Sequence, residues 1–116
     1  MQGDDQNGRE GLEVEAHDGT TVVRPYGEMD LGRAADFRRA LLSALTDAPR
    51  PQQVAVDLRH LAFCDSSGLN ALLHARALAA EHGQSLRLVA PQLQFLRLLE
   101  LTGALPLFTI EPDPPF

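Results

Sequence analysis

The stretch from Val54 to Leu69 constrains the fold more than any other part of the chain. An apolar run that ends at Leu58 is followed by Asp65, two adjacent serines and a glycine, and a helical pattern then begins. That order predicts a buried strand, a turn and a helix that starts near the serine pair. The first N–H groups of a helix have no partner within the helix, so such an end accepts a capping side chain or an anion. A serine there can cap the helix or carry a phosphate.

The rest of the chain alternates between strand and helix patterns. Asp18-Gly19 predicts a hairpin, Pro25 predicts an edge position or a bend in the second strand, and Pro91 is expected in the first turn of the last helix. The predicted strands cover residues 12–17, 20–26, 53–58, 85–90 and 107–110, and the predicted helices cover residues 30–47, 67–82 and 92–101. The order β-β-α-β-α-β-α-β favours an α/β domain with a small mixed sheet and helices packed on it.

Length and composition limit the possible classes of protein. The 116 residues suit one domain, here predicted at residues 12–111, with a disordered lead at 1–11 and a flexible tail at 112–116. The net charge is -6, and no three basic residues adjoin, which argues against a nucleic-acid partner. No apolar stretch approaches the roughly 20 residues that span a bilayer. We therefore expect a protein partner and a cytoplasmic location.

The sequence offers no pattern of an enzyme or a metal site. The G-x-S-x-G motif of serine hydrolases is absent around Ser66, and so are phosphate-binding and dinucleotide-binding glycine patterns. One cysteine, Cys64, resembles a small buried apolar residue rather than a reactive thiol. Four histidines are scattered along the chain without triad or ligand spacing: His17, His60, His74 and His82. We expect no catalytic residue, cofactor or metal.

The turn before the second long helix has two interpretations. Asp65, Ser66 or Ser67 can accept hydrogen bonds from the first N–H groups of the helix, and Gly68 eases the turn. Alternatively, a phosphate on a serine adds about 1.5 to 2 negative charges at an end of a helix that favours anions. The fold should then survive while one surface becomes strongly acidic, and a closely packed partner would be released. The residues alone leave both interpretations open.

A second acidic turn, Gly27 to Asp30, precedes the first predicted helix, and Asp30 is its candidate N-cap. If both helices start at one edge of a sheet, Asp30 and Asp65 flank one surface. The second helix has an apolar stripe and a mostly polar stripe, and the polar one is expected to face solvent or a partner. The stripes are Leu69, Leu72, Ala75 and Ala79 for the core, and Asn70, His74, Ala77 and Glu81 for the surface.

Three segments in this order resemble the STAS domain, and within that family the bacterial anti-sigma factor antagonists. The D-S-S-G loop alone is weakly specific, but the three segments together are a strong signal. They are the turn Gly27 to Asp30, the loop Phe63 to Leu69, and the closing segment Leu96 to Leu105 with its threonine-glycine turn. The resemblance covers about Leu12 to Glu111.

The resemblance implies a STAS fold, with a sheet of four or five strands and helices mainly on one face. It also implies a partner-switching protein that is not an enzyme. The unphosphorylated antagonist binds an anti-sigma factor that is also a GHKL-type serine kinase, and a sigma factor is thereby released to RNA polymerase. The kinase phosphorylates the antagonist, and a PP2C-type phosphatase reverses this step. The phosphoacceptor corresponds to Ser66, and the partner surface corresponds to Asp30, Asp65, Ser66, Ser67, Gly68, Asn70 and His74.

Other roles are compatible with the same resemblance. The first alternative is a STAS subunit of a lipid-transport ABC complex, in which the serine acts by contact and not through a phosphate. The second is a stressosome-like scaffold, which a single short domain disfavours. A fragment of an anion transporter is disfavoured further because no membrane segment is apparent.

Overall fold

The computed structural model describes residues 11–112 and contains seven strands, three α-helices and one short 3₁₀ helix. The strands are β1 (Leu12–His17), β2 (Thr20–Pro25), β3 (Gly27–Met29), β4 (Gln53–Asp57), β5 (Leu61–Cys64), β6 (Ser85–Val89) and β7 (Thr109–Glu111). The helices are α1 (Leu31–Thr46), α2 (Ser66–Glu81) and α3 (Leu93–Thr102), and the 3₁₀ helix covers Leu105–Leu107.

Five strands form the mixed sheet that the sequence predicts, in the order β1-β2-β4-β6-β7. The first two strands are an antiparallel hairpin, whose turn residues Asp18 and Gly19 both have positive φ, 38° and 84°. Two positive φ angles match the right-handed twist of the flanking strands, which confirms the predicted hairpin. The remaining strands are parallel, and helical segments connect β2 to β4, β4 to β6 and β6 to β7.

One face of this sheet carries the main core. Alternate residues of β4, Val54 and Val56, are fully buried there with Phe37 of α1, Leu72 of α2 and Phe95 of α3. The predicted apolar stripe of α2 is buried in the same cluster, as its spacing indicated. The opposite face has only a small apolar cluster, Val22, Ala55 and Val89. The helices therefore lie mainly on one side, as the resemblance implies.

Two short strands lie outside the five that the sequence predicts. Gly27–Met29 and Leu61–Cys64 are short strands that pair in parallel as a separate two-stranded sheet. Three or four residues are too few to show a clear alternation of polar and apolar positions. Pro25 is the last residue of β2, and Tyr26 separates it from β3. Strand β2 lies between β1 and β4, but Pro25 is beyond the residues 20–23 that pair with β4 and pairs only with Leu12 of β1.

Several predicted boundaries shift by one or two residues. Helix α2 begins at Ser66 rather than Ser67, and Pro91 lies before the N-cap residue Gln92, outside the first turn where it was expected. The last strand starts later than predicted because Pro106 lies in the short 3₁₀ helix that precedes it. The helix ends were placed better: Gly83 and Gly103 follow α2 and α3 with φ of 69° and 76°.

The predicted lead and tail are only partly within the described residues. The carbonyl of Gly11 accepts hydrogen bonds from the N–H of Tyr26, at 2.9 Å, and from the Arg33 guanidinium, at 3.1 Å. Gly11 is thus tied to the fold, and the prediction that it belongs to a disordered lead is wrong. Residues 1–10 and 113–116 of the same predictions lie outside the described residues. Across residues 11–112, no helix is long and apolar enough to cross a membrane.

Candidate functional site

The small sheet of β3 and β5 brings the two acidic turns together. Met29 pairs with Cys64 in the parallel register, so Asp30 and Asp65 each follow a paired residue. The N–H of Asp65 donates to the carbonyl of Met29 at 3.0 Å. Because neighbouring strands are about 4.8 Å apart, α1 and α2 start side by side at one edge of this small sheet. The structure places Asp30 and Asp65 beside each other, at the start of these two helices.

Asp65 is the N-cap of α2 and uses one carboxylate oxygen for three donors. Its Oδ1 accepts from the N–H of Ser67 at 3.0 Å, from the N–H of Gly68 at 3.4 Å and from the Ser67 hydroxyl. The hydrogen bond from Ser67 and those backbone donors hold the pKa of Asp65 below its ordinary value. The capping interpretation of the turn is therefore correct for Asp65 and not for the serines. Asp30 occupies the N-cap position of α1 without a side-chain capping bond.

The two serines have different surroundings. Ser67 is half-buried, and its hydroxyl donates to Asp65. Ser66 is the first residue of α2 and is exposed. Within residues 11–112, no side-chain hydrogen bond engages the Ser66 hydroxyl. Of the pair, Ser66 is the hydroxyl that another protein can reach without breaking a bond.

Gly68, which the resemblance assigns to the partner surface, is buried. A Cβ at this position would collide with the Cys64 sulfur and would lie 2.7 Å from Cγ of Met29. The glycine lets the first turn of α2 approach the small sheet closely. The contribution of Gly68 is therefore to allow close packing of α2, the helix that carries Ser66, against β3 and β5.

The polar stripe of α2 is on the surface. Asn70 and His74 are both exposed, as are Ala77 and Glu81 further along the same face. Two large apolar side chains are exposed around the serine turn: Leu31, the first residue of α1, is 78% exposed, and Phe63 of β5 is 42% exposed. The surface around Ser66 thus combines carboxylates, a free hydroxyl and apolar groups, which suits contact with a protein.

Gln94 of α3 holds the strand that leads into the turn, a role that no sequence pattern indicates. Its amide accepts from the N–H of Cys64 at 2.9 Å and donates to the carbonyl of Cys64 at 2.8 Å. The side chain thus takes the place of a neighbouring strand for the last residue of β5. A glutamine on a helix is ordinarily a surface residue, so only the packing of α3 against β5 reveals it.

Arg33 was also missed as a structural residue. Its guanidinium donates to the carbonyls of Tyr26, at 2.8 Å, and Glu28, at 2.5 Å, in addition to Gly11. These bonds tie the first turn of α1 to β3 and to the residues that precede β1 and β3.

A buried ion pair lies on the sheet face away from the helices. Arg24 donates through Nε to Oδ2 of Asp57 at 2.9 Å, and Asp57 is fully buried. Burial opposes the ionisation of Asp57, but hydrogen bonds from Arg24 and Arg59 outweigh it and lower its pKa. In the sequence, Asp57 stands at the end of an otherwise apolar strand. A carboxylate buried at such a position needs a cationic or hydrogen-bonding partner, and Arg24 is that partner.

Cys64 and the possible metal ligands were the other candidate groups for chemistry in the described residues. Burial and the nearby Asp65 raise the pKa of Cys64 to about 12, so its thiol stays protonated and is a poor nucleophile. Among residues 11–112, no group of three or more histidine, cysteine or carboxylate side chains could hold a metal ion.

Known proteins share this sequence and this architecture. Residues 11–114 match the family model of the STAS domain. An anti-sigma F factor antagonist of Paenibacillus polymyxa is 30% identical over 101 residues, which cover 87% of this chain and 83% of the relative.

Solved structures give the same result. The crystal structure of an anti-sigma factor antagonist from Mycobacterium paratuberculosis superposes with a TM-score of 0.78 and 28% identity, covering 89% of this chain and 86% of the other. The Bacillus cell fate determinant SpoIIAA in its phosphorylated form superposes with a TM-score of 0.69 and 20% identity, covering 86% and 90%. At that identity the second structure shows the fold alone. The chain therefore belongs to the STAS domain family and groups there with anti-sigma factor antagonists.

Proposed function

We propose that this protein is a phosphorylation-switched anti-sigma factor antagonist. Unphosphorylated, it binds an anti-sigma factor that is also a GHKL-type serine kinase, and a sigma factor is released. Phosphorylation of Ser66 ends the complex, and a PP2C-type phosphatase restores it. The protein is a substrate and not an enzyme, and it acts in the cytoplasm. The observation that carries the proposal is the exposed, unbonded Ser66 hydroxyl beside Ser67, whose own hydroxyl is engaged.

Electrostatics around Ser66 explain how a phosphate would act. The phosphate adds about 1.5 to 2 negative charges next to Asp65, whose pKa is lowered and which is therefore ionised at neutral pH. Asp65 already accepts from the N–H groups of Ser67 and Gly68. A phosphate on Ser66 thus meets occupied donors and extends toward solvent or toward the partner. The fold is left in place while the local surface charge changes sharply.

The exposed side chains of Leu31 and Phe63 explain why the phosphate charge would release a bound partner. A partner that covers Leu31 and Phe63 removes water from the turn between them. The Asp65 carboxylate can lose this water at little cost, because hydrogen bonds from Ser67 and Gly68 already compensate its charge. A doubly charged phosphate on Ser66 has no such donors. Removing water from an unpaired charge costs about 3 to 5 kcal/mol, so the bound state is strongly disfavoured. Phosphorylation should therefore expel the partner rather than unfold the protein.

The first test is capture of partners from lysate of the native cell with wild type, Ser66→Ala and Ser66→Asp, followed by identification by mass. We expect wild type and Ser66→Ala to retain a GHKL-type kinase and Ser66→Asp to lose it. Incubation of the captured kinase with ATP should then add one phosphate to wild type and none to Ser66→Ala.

Ser67→Ala is the matched control, because it removes the neighbouring hydroxyl and leaves Ser66 in place. We expect this variant to be phosphorylated. Equal retention of one partner by all three Ser66 proteins would contradict the switch. Retention of an ABC ATPase by all of them would favour the lipid-transport alternative, in which the serine acts by contact.

A further inference from the structure

Two glutamines at the start of α3 hold the segment that leads to the serine turn. Gln92, the N-cap residue, donates through Nε2 to the carbonyl of Arg59 at 2.7 Å. Gln94 accepts from the N–H of Cys64 at 2.9 Å and donates to the carbonyl of the same residue at 2.8 Å. Residues 59–64 are thus bonded to α3 at both ends, and β5 lies within this segment.

The bond to the Cys64 carbonyl acts on the peptide group directly before the cap residue. In the peptide group between Cys64 and Asp65, the carbonyl accepts from Gln94, and the N–H donates to the carbonyl of Met29 at 3.0 Å. A helix therefore holds one side of this peptide group, and strand β3 holds the other. Because a peptide group is planar, two bonds on opposite sides fix its orientation. That orientation sets the direction in which the chain leaves β5.

The Asp65 cap carries this direction on to Ser66. The Asp65 side chain accepts from the N–H of Ser67 at 3.0 Å, and its carbonyl accepts from the N–H of Leu69 at 3.2 Å. Asp65 is thus joined to the first turn of α2, whose first residue is Ser66. In the described part of the chain, no side-chain hydrogen bond engages the Ser66 hydroxyl. The backbone alone therefore determines where this hydroxyl lies.

We propose that Gln94 is a positioning residue for the phosphorylation of Ser66, a role that rests on the function proposed above. In this reaction the Ser66 Oγ forms a bond to the γ-phosphorus of ATP, the bond from that phosphorus to ADP breaks, and the hydroxyl proton passes to a base of the kinase. The attacking and leaving oxygens must lie roughly in line. A misplacement of about 1 Å can slow such a step about 100-fold, so the orientation of the preceding peptide group matters.

The test compares phosphorylation kinetics of wild type and Gln94→Met, with ATP and the GHKL-type kinase that wild type captures. Methionine keeps the length of the side chain, but it has no donor and only a weak acceptor. We expect kcat to fall by more than about tenfold, because Ser66 is misaligned, and KM to stay within about threefold. The KM should change little because exposed groups such as Leu31 and Asn70 lie on other elements and are unaltered.

Gln92→Met is the matched control. It makes the same substitution two positions earlier and removes a bond from the same helix to the same segment. That bond ends at Arg59, which precedes β5, and not at the peptide group before Asp65. We expect the kcat of this variant to stay within about twofold of wild type.

Amide hydrogen exchange separates positioning from a general loss of stability. Lower global stability speeds the exchange of the core amides together with all others, whereas a local opening speeds only the amides that it exposes. Gln94→Met should speed exchange at Cys64 at least about tenfold more than at Val54 and Val56 of the buried strand β4.

Each contrary result has its own reading. A wild-type kcat in Gln94→Met overturns the positioning role, and so does an equal fall of kcat in the Gln94 and Gln92 variants. A fall of kcat with equal acceleration at Cys64 and the core amides also overturns it, because Gln94 then only stabilises the fold. A raised KM with unchanged kcat would instead make Gln94 part of the binding surface. A wild type that takes up no phosphate refutes the proposed function itself, and the role of Gln94 falls with it.

Discussion

Ser66 and Ser67 are chemically identical neighbours that the fold makes different. Asp65 binds the hydroxyl and the N–H of Ser67, so this serine is part of the helix cap. Ser66 points outward from the first position of the helix and takes no part in the cap. At the scale of single residues, one hydroxyl stabilises the turn and the other is available for chemistry carried out by another protein.

Alanine at each position should separate the two roles. Ser67→Ala should lower the free energy of unfolding by about 1 kcal/mol, because it deletes a hydrogen bond to a charged group. Ser66→Ala should change it by less than about 0.5 kcal/mol, the usual range for a surface position. Urea denaturation measures both. Ser67→Ala should also raise the pKa of Asp65, visible by NMR titration, because Ser67 is the main cause of its lowering. Equal losses in the two variants would show that Ser67 is no more structural than Ser66.

Helix α2 depends on how closely it approaches the small sheet. Its third residue, Gly68, faces Cys64 of β5 and Met29 of β3 without a side chain of its own. Strand β5 pairs with β3 along one edge, and the Gln94 side chain bonds the N–H and carbonyl of Cys64 on the opposite edge. At the scale of elements, the serine turn is thus held by a helix packed on two short strands and by a third helix beside them.

Gly68→Ala should destabilise the protein although alanine favours helices. The added methyl must displace the Cys64 sulfur or Met29, and overpacking of this kind costs about 1 to 3 kcal/mol. Gly32→Ala in α1 is the matched control, because its Cβ would meet only Asp30 Oδ1 at an ordinary 3.5 Å. We expect that variant to be neutral or up to about 0.5 kcal/mol more stable. Thermal unfolding compares them, and a Gly68→Ala variant as stable as wild type would contradict the close approach.

Ion pairs join the strands of the main sheet on the face without helices. Arg24 connects β2 to Asp57 of β4 and to Glu13 and Glu15 of β1. Arg87 pairs with Glu111 and connects β6 to β7. At the scale of the whole molecule, one sheet face is stabilised by the apolar core and the other largely by paired charges. The second contribution should depend on pH.

Asp57→Asn should lower the free energy of unfolding by about 3 kcal/mol at pH 7, because it leaves Arg24 short of a buried partner. The lowered pKa of Asp57 means that its contribution is complete above its unfolded pKa of about 3.8 and is lost as pH falls through the folded value. The difference between variant and wild type should therefore be constant above about pH 5 and shrink below 3.8.

Asp36→Asn provides the control for that experiment. Asp36 pairs with Arg39 at 2.6 Å, but both side chains are more than two-thirds exposed. Its removal should cost less than about 0.5 kcal/mol. Chemical denaturation between pH 3 and pH 7 measures both variants, and a difference for Asp57→Asn that does not vary with pH would refute the assignment.

The sequence by itself determined the order of the main elements, a small mixed sheet, the hairpin at Asp18-Gly19 and the apolar stripe of α2. These follow from local periodicity and turn chemistry, which neighbouring residues set without reference to the rest of the chain. The D-S-S-G loop and its two companion segments also indicated the family. Long periodic segments were placed within a few residues, since many positions contribute to each pattern.

Only the tertiary structure decided which serine is free, why Gly68 is needed and which residues support the turn. The short strands β3 and β5 exist because they pair with each other, and neither has enough residues to show a pattern alone. Gln94 and Cys64 are separated by 30 positions, and Arg24 and Asp57 by 33. Contacts between such distant residues depend on how whole elements pack, and periodicity within one element holds no information about them.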